Sequence, residues 1–312
     1  MNILIIGLGS IARKHIEALS NLNLDVKIYA LRSKLNVPAE GNVENIYELE
    51  NCDVVFDFAI ISNPTQLHFQ FIEKLAQKGI PLFIEKPAIH TLENVNKLVD
   101  LIKEKHLITY VACNLRFHPC ILFLKDKIDK DGLRINELNV YCGSYLPDWR
   151  PGKDFRTIYS ANSEMGGGVH LDLFHELDYT AWIFGLPNKS NVILRNKSSL
   201  EIDAVDYANY TLEYDYFVAN IVLNYYRRNP KREIEIVFKK DTWVVDLIKN
   251  EIKNDNGDVF FRAENFNVKD TYLLQLKYFI GCISNNQVPM NSFDESVEIL
   301  KICLNNEFNF KK

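Results

Sequence analysis

The chain has 312 residues, of which 47% are hydrophobic and 25% charged, with a net charge of -5. This length is about twice that of a typical single domain, so two domains that share a cleft are expected. The acidic balance offers no general attraction for nucleic acid or an anionic membrane surface. Six irregularly spaced cysteines without a CxxC pair argue against a disulfide framework and a zinc site, and we expect no metal.

The chain begins with an apolar run that lacks the basic segment and the longer apolar core of a signal peptide. No stretch approaches the roughly 20 apolar residues of a membrane span. We therefore expect a cytoplasmic protein with no membrane partner.

The first part of the chain alternates short apolar runs with segments of helical period, which predicts an α/β domain with a doubly wound parallel sheet. The predicted strands are 2–6, 26–31, 54–61, 81–84 and 107–113. Beyond about residue 117 long alternating strands dominate, and Ala219, Ile221 and Leu223 fall on one strand face. This predicts a second α/β domain with a large, open, mostly antiparallel sheet whose outer face is free for a subunit partner.

A glycine turn, Gly7-Leu8-Gly9-Ser10-Ile11-Ala12, lies between the first predicted strand and the first predicted helix. Glycines there allow a tight turn and close approach of a pyrophosphate to the helix N-terminus. We predict that Gly7, Gly9, Ser10 and Ile11 bind a dinucleotide. The alternative is an ordinary strand-to-helix turn.

The end of the second predicted strand bears on the choice of cofactor. An acidic residue about 20 positions after the glycines would bind the ribose hydroxyls of NAD, and none is present. Arg32, Ser33 and Lys34 occupy that place, and these side chains suit a 2′-phosphate. We predict NADP(H) over NAD(H); the alternative is a solvated basic turn.

Two short motifs follow later strands, at the sheet edge where ligands bind in open α/β folds. The first supplies Ser62, Asn63, Pro64 and His68, and the second supplies Glu85 and Lys86 before a proline. We predict that these side chains bind the cofactor and that Lys86 points into the cleft. Taken singly, each is more often explained by helix capping, core packing or a surface charge than by ligand binding.

A third motif runs from Gly166 to Asp178, where three glycines precede a predicted helix. Asp172 and His175 then fall on one helix face at i, i+3. A carboxylate beside an imidazole suits proton transfer near neutral pH. The alternative is a capped helix with a surface histidine.

Together these motifs, with NxRFHP at residues 114–119, resemble the Gfo/Idh/MocA oxidoreductases, the glucose-fructose oxidoreductase and inositol dehydrogenase family. The resemblance spans essentially the whole chain. It implies a Rossmann domain, 1–118, and a substrate-binding and oligomerisation domain, 119–312. It also implies hydride transfer between a nicotinamide and a hydroxyl carbon of a sugar-type compound, in a homodimer or homotetramer.

The resemblance implies that Lys86 contacts cofactor and substrate, that Asp172 is the family's helix aspartate and that His175 is its catalytic histidine. The commoner family pattern is DxGxH, whereas this chain has one residue fewer between Asp172 and His175 and resembles a subgroup with DLxHELDY. The base is therefore either His175 or Lys86. The retention of all three argues against the alternative of a non-catalytic dinucleotide- or sugar-binding regulatory protein.

The segment 145–159 is rich in aromatic and cationic side chains, which stack on sugar rings and bind phosphate or carboxylate. It indicates an acidic or nucleotide-linked sugar as substrate. The predicted substrate-binding residues are Arg116, His118, Trp149, Arg156 and Tyr159. The alternative is an ordinary surface loop.

Overall fold

The computed structural model describes residues 1–33, 36–50 and 52–305, so Lys34 of the predicted cofactor site lies outside the described residues. The strands are β1 (Asn2–Ile6), β2 (Lys27–Leu31), β3 (Val43–Ile46), β4 (Phe58–Ile61), β5 (Leu82–Glu85), β6 (Thr109–Ala112), β7 (Ile135–Tyr145), β8 (Lys189–Arg195), β9 (Tyr207–Glu213), β10 (Val218–Asn224), β11 (Tyr226–Phe238), β12 (Thr242–Asp246), β13 (Glu251–Lys253) and β14 (Val259–Arg262). The helices are α1 (Ser10–Ser20), α2 (His68–Gln77), α3 (Val95–Glu104), α4 (Pro119–Asp131), α5 (Val169–Asp172), α6 (His175–Phe184), α7 (Asp270–Ser284) and α8 (Phe293–Cys303).

The chain forms two compact units, and the first contains Met1–Asn114 together with Val268–Val297. Its six strands are all parallel and lie in the order β3-β2-β1-β4-β5-β6. This is the Rossmann order, which confirms the predicted doubly wound sheet. The edge strand β3 was not predicted, because the sequence of Val43–Ile46 has no long apolar run. Only one of these four residues is buried in the structure.

The sequence assigned every residue after 118 to the second domain, whereas the segment Val268–Val297 packs with the first unit. The ring of Phe279 on α7 lies edge-on to Phe58 and Phe83, with ring centroids 5.4 and 5.6 Å apart. All three rings are fully buried. Burial of this aromatic cluster on the Rossmann sheet explains why a segment so late in the chain joins the first unit.

The second unit contains Leu115–Asn267 and the described residues from Glu298 onward. Its eight strands lie in the order β14-β13-β12-β11-β7-β10-β9-β8, and only the β7–β10 pair is parallel. Ala219, Ile221 and Leu223 of β10 are fully buried and alternate with more exposed residues, as predicted. The open, mostly antiparallel sheet is thus confirmed.

No described helix is long and apolar enough to cross a membrane. No disulfide joins the six cysteines. Within the described ranges there is no group of three His, Cys, Asp or Glu side chains placed to hold a metal ion.

Candidate active site

The glycine turn follows β1 and meets the turn after β4. Gly7 has a φ of +85°, and a Cβ built on it would lie 2.6 Å from the Cα of Asn63. Both the backbone conformation and the close approach of two chain segments therefore require glycine at this position. The structure thus brings Gly7 and Asn63, two predicted site residues, into direct contact.

Gly9 is the N-cap of α1, with an extended backbone and no side chain to cap the helix. A Cβ built on Gly9 meets nothing within 4 Å. The first turn of α1 also contains no acidic residue. The N–H groups at this helix start, including those of Ser10 and Ile11, therefore fit the pyrophosphate of a dinucleotide. The open space leaves room for the phosphates, and the positive end of the helix dipole attracts their negative charge.

The first unit contains a pocket of about 490 Å³ beside this turn. Among the residues that line it are Gly7, Arg32, Ser33, Asn63 and Pro64. Polar and charged groups here surround a cavity large enough for part of a dinucleotide. The pocket therefore brings together five of the predicted cofactor-binding residues.

The Arg32 guanidinium lies at this pocket beside a carboxylate that the sequence analysis did not single out. Its Nη1 is 3.8 Å from Oε1 of Glu40, and Glu40 also accepts two hydrogen bonds from Arg13, at 3.0 and 3.1 Å. Glu40 therefore neutralises part of the positive charge that the sequence assigns to a 2′-phosphate.

Ser62 and His68 are engaged by the protein itself. The Ser62 hydroxyl lies 3.0 Å from the carbonyl oxygen of Gly7, to which it donates. The buried His68 ring lies between the carbonyl oxygens of Asn63 and Ala88, at 2.9 and 3.0 Å, and burial lowers its pKa. These contacts indicate that the two side chains support the turn, whereas the sequence predicted that they bind cofactor directly.

Lys86 follows β5, and the carboxylate just before it pairs with a histidine that the sequence analysis missed. Glu85 Oε2 accepts a hydrogen bond from the backbone N–H of Lys86 at 3.3 Å, while Oε1 pairs with Nε2 of His15. His15 is fully buried on α1 against the rings of Phe83 and Tyr272. The helix that starts at the glycine turn is thus linked through Glu85 to the backbone at Lys86.

Asp172 and His175 lie in the second unit, and their placement corrects the predicted single helix. Asp172 is the last residue of α5 and His175 is the first residue of α6. Leu173 leaves the helical region, with φ -98° and ψ 34°, so the i, i+3 geometry of one helix does not apply. Leu173 and Phe174, the two residues between the helices, are both buried.

The carboxylate of Asp172 is held by Tyr225, another residue that the sequence analysis did not assign. The Tyr225 hydroxyl donates a hydrogen bond to Asp172 Oδ2. The Trp149 ring packs edge-on against the Tyr225 ring, and Trp149 Nε1 donates to Ser144 Oγ at 2.8 Å. Trp149, predicted to stack on substrate, is therefore engaged with the protein.

Two buried ion pairs anchor α6, and one corrects the expectation that Arg116 binds substrate. The Arg116 guanidinium is fully buried and donates two hydrogen bonds to the Asp178 carboxylate, at 2.9 and 2.8 Å. Glu176 is also fully buried and accepts from Arg232 at 2.6 Å. The acidic residues of the HELDY motif thus anchor the helix that begins with His175.

His118 is likewise structural rather than exposed to a ligand. It is the N-cap of α4, and its Nδ1 accepts from the backbone N–H of Cys120. Nε2 faces Oδ1 of Asn250 at 3.0 Å, which requires the neutral tautomer that donates from Nε2. Burial lowers the pKa of His118 to about 4, in agreement with a neutral ring.

The remaining predicted substrate residues, Arg156 and Tyr159, have different environments. Arg156 is half-exposed, with its guanidinium 4.6 Å from the centre of the Phe155 ring. The Tyr159 hydroxyl donates to the carbonyl oxygen of Gly166 at 2.6 Å. Tyr159 therefore joins segment 145–159 to the glycine run before α5, whereas the Arg156 guanidinium is half-exposed and lies 3.9 Å from Asp154 Oδ1.

Comparison with known proteins agrees with this architecture. Residues 1–113 match the GFO_IDH_MocA family, described as an oxidoreductase family with an NAD-binding Rossmann fold. A scyllo-inositol 2-dehydrogenase (NAD(+)) of Bacillus subtilis is 24% identical over 308 residues, which cover 92% of this chain and 87% of that protein.

Two solved structures share the fold over nearly the whole chain. A levoglucosan dehydrogenase in complex with NADH and levoglucosan has a TM-score of 0.83 and 17% identity, with 97% of this chain and 95% of that chain covered. The WlbA dehydrogenase from Bordetella pertussis, in complex with NADH and UDP-GlcNAcA, has a TM-score of 0.82 and 17% identity, with 97% and 93% covered. The family match thus covers the first 113 residues, and the likeness to the two solved structures extends the shared fold over nearly the whole chain.

Proposed function

We propose that the protein transfers a hydride between a nicotinamide dinucleotide and the hydroxyl-bearing or keto carbon of a sugar or sugar derivative. The observation that carries this proposal is the open N-terminus of α1 at Gly9, in the same unit as the turn that bears Lys86. The carbohydrate and cyclitol dehydrogenases to which the chain is similar support the substrate class.

A dinucleotide held at the glycine turn by Gly7 and Gly9 would supply the hydride acceptor for oxidation of the carbinol carbon. The chain must take the proton of the substrate hydroxyl while the carbonyl forms. His175 and Lys86 are the two candidates for this base, the lysine only in its neutral form. Asp172, whose carboxylate is already held by Tyr225, is assigned to orienting the reacting group.

Replacement of each candidate base tests the proposal. We expect Lys86→Ala and His175→Ala each to lower kcat by about 100-fold or more, since general acid–base catalysis contributes on that scale. Lys97→Ala, which removes an exposed lysine of the same unit as Lys86, is the matched control and should leave turnover unchanged. Near-normal turnover of His175→Ala alone would assign the base to Lys86, and near-normal turnover of both variants would overturn the proposal.

For the substrate we propose an acidic or nucleotide-linked sugar. The half-exposed guanidinium of Arg156 and the exposed side chain of Arg150 supply cations for a carboxylate or phosphate. A panel of neutral sugars, cyclitols, sugar acids and nucleotide sugars, followed by nicotinamide absorbance, tests this class. We expect kcat/KM for an anionic member to fall at least about 10-fold in Arg156→Ala, while a preference for neutral sugars would contradict it.

For the cofactor we propose NADP(H) over NAD(H), because Arg32 and Ser33 line the pocket beside the glycine turn. Arg32→Ala should weaken NADPH binding about 10- to 100-fold and leave the Kd for NADH nearly unchanged, as expected for loss of a charged hydrogen bond. Arg195→Ala, at an exposed arginine of β8, is the control. Equal binding of both cofactors by the native protein would refute the preference.

We also propose self-association, as a homodimer or homotetramer, through the outer face of the second sheet. Thr211 of β9 and Asn220 of β10 are only partly exposed and form a hydrogen bond on that face, at 3.3 Å. A bulky charge placed there should weaken a face-to-face contact. Light scattering should find an oligomer for the native chain and a smaller species for Asn220→Arg; a native monomer would contradict the proposal.

A further inference from the structure

The hydrogen bond from Tyr225 to Asp172 joins the sheet of the second unit to the end of α5. Tyr225 is the residue after β10 and is fully buried. Asp172 is partly exposed, and its Oδ2 receives the tyrosine hydroxyl. A completely buried donor therefore fixes one oxygen of a carboxylate that solvent still reaches.

Tyr225 is itself held on both its backbone and its ring. Its N–H donates to the carbonyl oxygen of Asp206 at 3.1 Å, and its carbonyl oxygen accepts from the N–H of Leu146 at 2.8 Å. The Trp149 ring lies 5.3 Å away at an interplanar angle of 86°. Because backbone and ring are both constrained, the hydroxyl has little freedom to leave the carboxylate.

The phenol remains a donor at neutral pH. Burial, together with the adjacent Asp172 carboxylate, raises the pKa of Tyr225 well above its usual value. A protonated phenol has a single O–H, and in this structure that O–H is directed at Asp172. Tyr225 therefore does not itself accept the substrate proton.

We propose that Tyr225 is the positioning residue for Asp172, and that Trp149 maintains this position by packing against the Tyr225 ring. The inference rests on the proposed function, because it matters for turnover only if Asp172 orients the reacting group. It assigns the tryptophan of segment 145–159 to the support of Asp172, whereas the sequence assigned it to sugar stacking.

The competing explanation is that Tyr225 only stabilises the fold, and the chain offers a matched control. Tyr210 is also fully buried in the second unit, and its hydroxyl donates to the carbonyl oxygen of Cys303 at 3.1 Å. Tyr225→Phe and Tyr210→Phe each remove one buried hydroxyl and keep the ring. A purely structural role predicts similar behaviour of the two variants.

The experiment compares these two variants with Asp172→Asn. Thermal unfolding, Kd for NADPH, and kcat and KM are measured with the most active member of the substrate panel. We expect Tyr225→Phe to lower kcat about 10- to 100-fold with the Kd for NADPH within about 3-fold, as for loss of a hydrogen bond to a charged group. Tyr210→Phe should keep native kcat whatever its melting temperature.

The outcomes separate the inference from the proposed function. If Asp172→Asn is inactive but Tyr225→Phe behaves like Tyr210→Phe, the positioning role is wrong and the proposed function stands. If Asp172→Asn retains native kcat, or no panel member turns over, the function proposed for Asp172 has failed and the inference fails with it. If Tyr225→Phe does not fold, Trp149→Ala becomes the test, because it removes the ring that packs against Tyr225, and native kcat in that variant overturns the inference.

Discussion

Replacement of Gly7 by alanine places a methyl group against the turn after β4. The added Cβ would lie 2.6, 2.7 and 2.8 Å from the Cα, Cβ and N of Asn63, so the backbone itself must move. A φ of +85° adds the cost of a left-handed conformation, about 1–2 kcal/mol. Overpacking of a tight site costs about 1–3 kcal/mol more. We therefore expect Gly7→Ala to lower the free energy of unfolding by about 2–5 kcal/mol, out of a typical total of about 5–15.

Gly9→Ala is the matched control, because the two glycines are separated by one residue and differ in surroundings. Gly9 has an extended backbone, and its Cβ would meet nothing within 4 Å. The free energy of unfolding of Gly9→Ala should stay within about 1 kcal/mol of the native value, whereas the added methyl group at the helix start should weaken dinucleotide binding. The assays are urea denaturation and the Kd for NADPH from nicotinamide fluorescence.

The pair of variants has a defined contrary result. If Gly7→Ala has the same midpoint of urea denaturation as the native protein, the contact with Asn63 does not constrain the turn. If Gly9→Ala binds NADPH with native affinity, the assignment of the α1 N-terminus to the pyrophosphate is wrong.

Three further predictions concern the second unit. Asp178→Asn should lower the free energy of unfolding, measured by urea denaturation, by about 3–5 kcal/mol, because it leaves the buried Arg116 guanidinium without its paired carboxylate. Glu213→Gln, at an exposed ion pair, is the control and should lower it by less than about 1 kcal/mol. Equal losses in the two variants would contradict the anchoring role. Burial lowers the pKa of His118 from 6.5 to about 4, so its contribution to stability is complete above pH 6.5 and is lost as pH falls toward 4. His118→Asn retains a capping acceptor but has no group at position 118 that titrates in this range. Its melting temperature should therefore fall less than that of the native protein between pH 6.5 and 4, and equal falls in the two proteins would refute this. Trp149→Phe keeps an aromatic ring beside Tyr225 but loses the hydrogen bond to Ser144. Its kcat should therefore fall by less than that of Tyr225→Phe. A larger fall would indicate direct contact between Trp149 and substrate.

The elements that local patterns specify were predictable from the sequence. The apolar run of β1 and the glycines after it predicted the strand, the turn and the start of α1, and the structure agrees for Gly7 and Gly9. The alternation around Ile221 predicted a strand with one buried face, which β10 has. Such features depend on side-chain period and on backbone freedom within a few residues.

The roles of buried polar residues were not predictable, because their partners lie far away in the chain. His15 pairs with Glu85, 70 positions later, and Arg116 pairs with Asp178, 62 positions later. In the sequence, an arginine in a motif reads equally as a ligand contact or as half of a buried ion pair. Only folding brings in the carboxylate that distinguishes the two.

The proposed catalytic segment shows this division most clearly. The sequence by itself determined the Rossmann sheet, the dinucleotide turn and the presence of a lysine, an aspartate and a histidine in family motifs. Only the tertiary structure decided that α5 ends at Asp172 and that α6 begins at His175. Local helical period predicts one continuous helix there, but burial of Leu173 and Phe174, the hydrogen bond from Tyr225 and the ion pairs of α6 are long-range interactions that outweigh it.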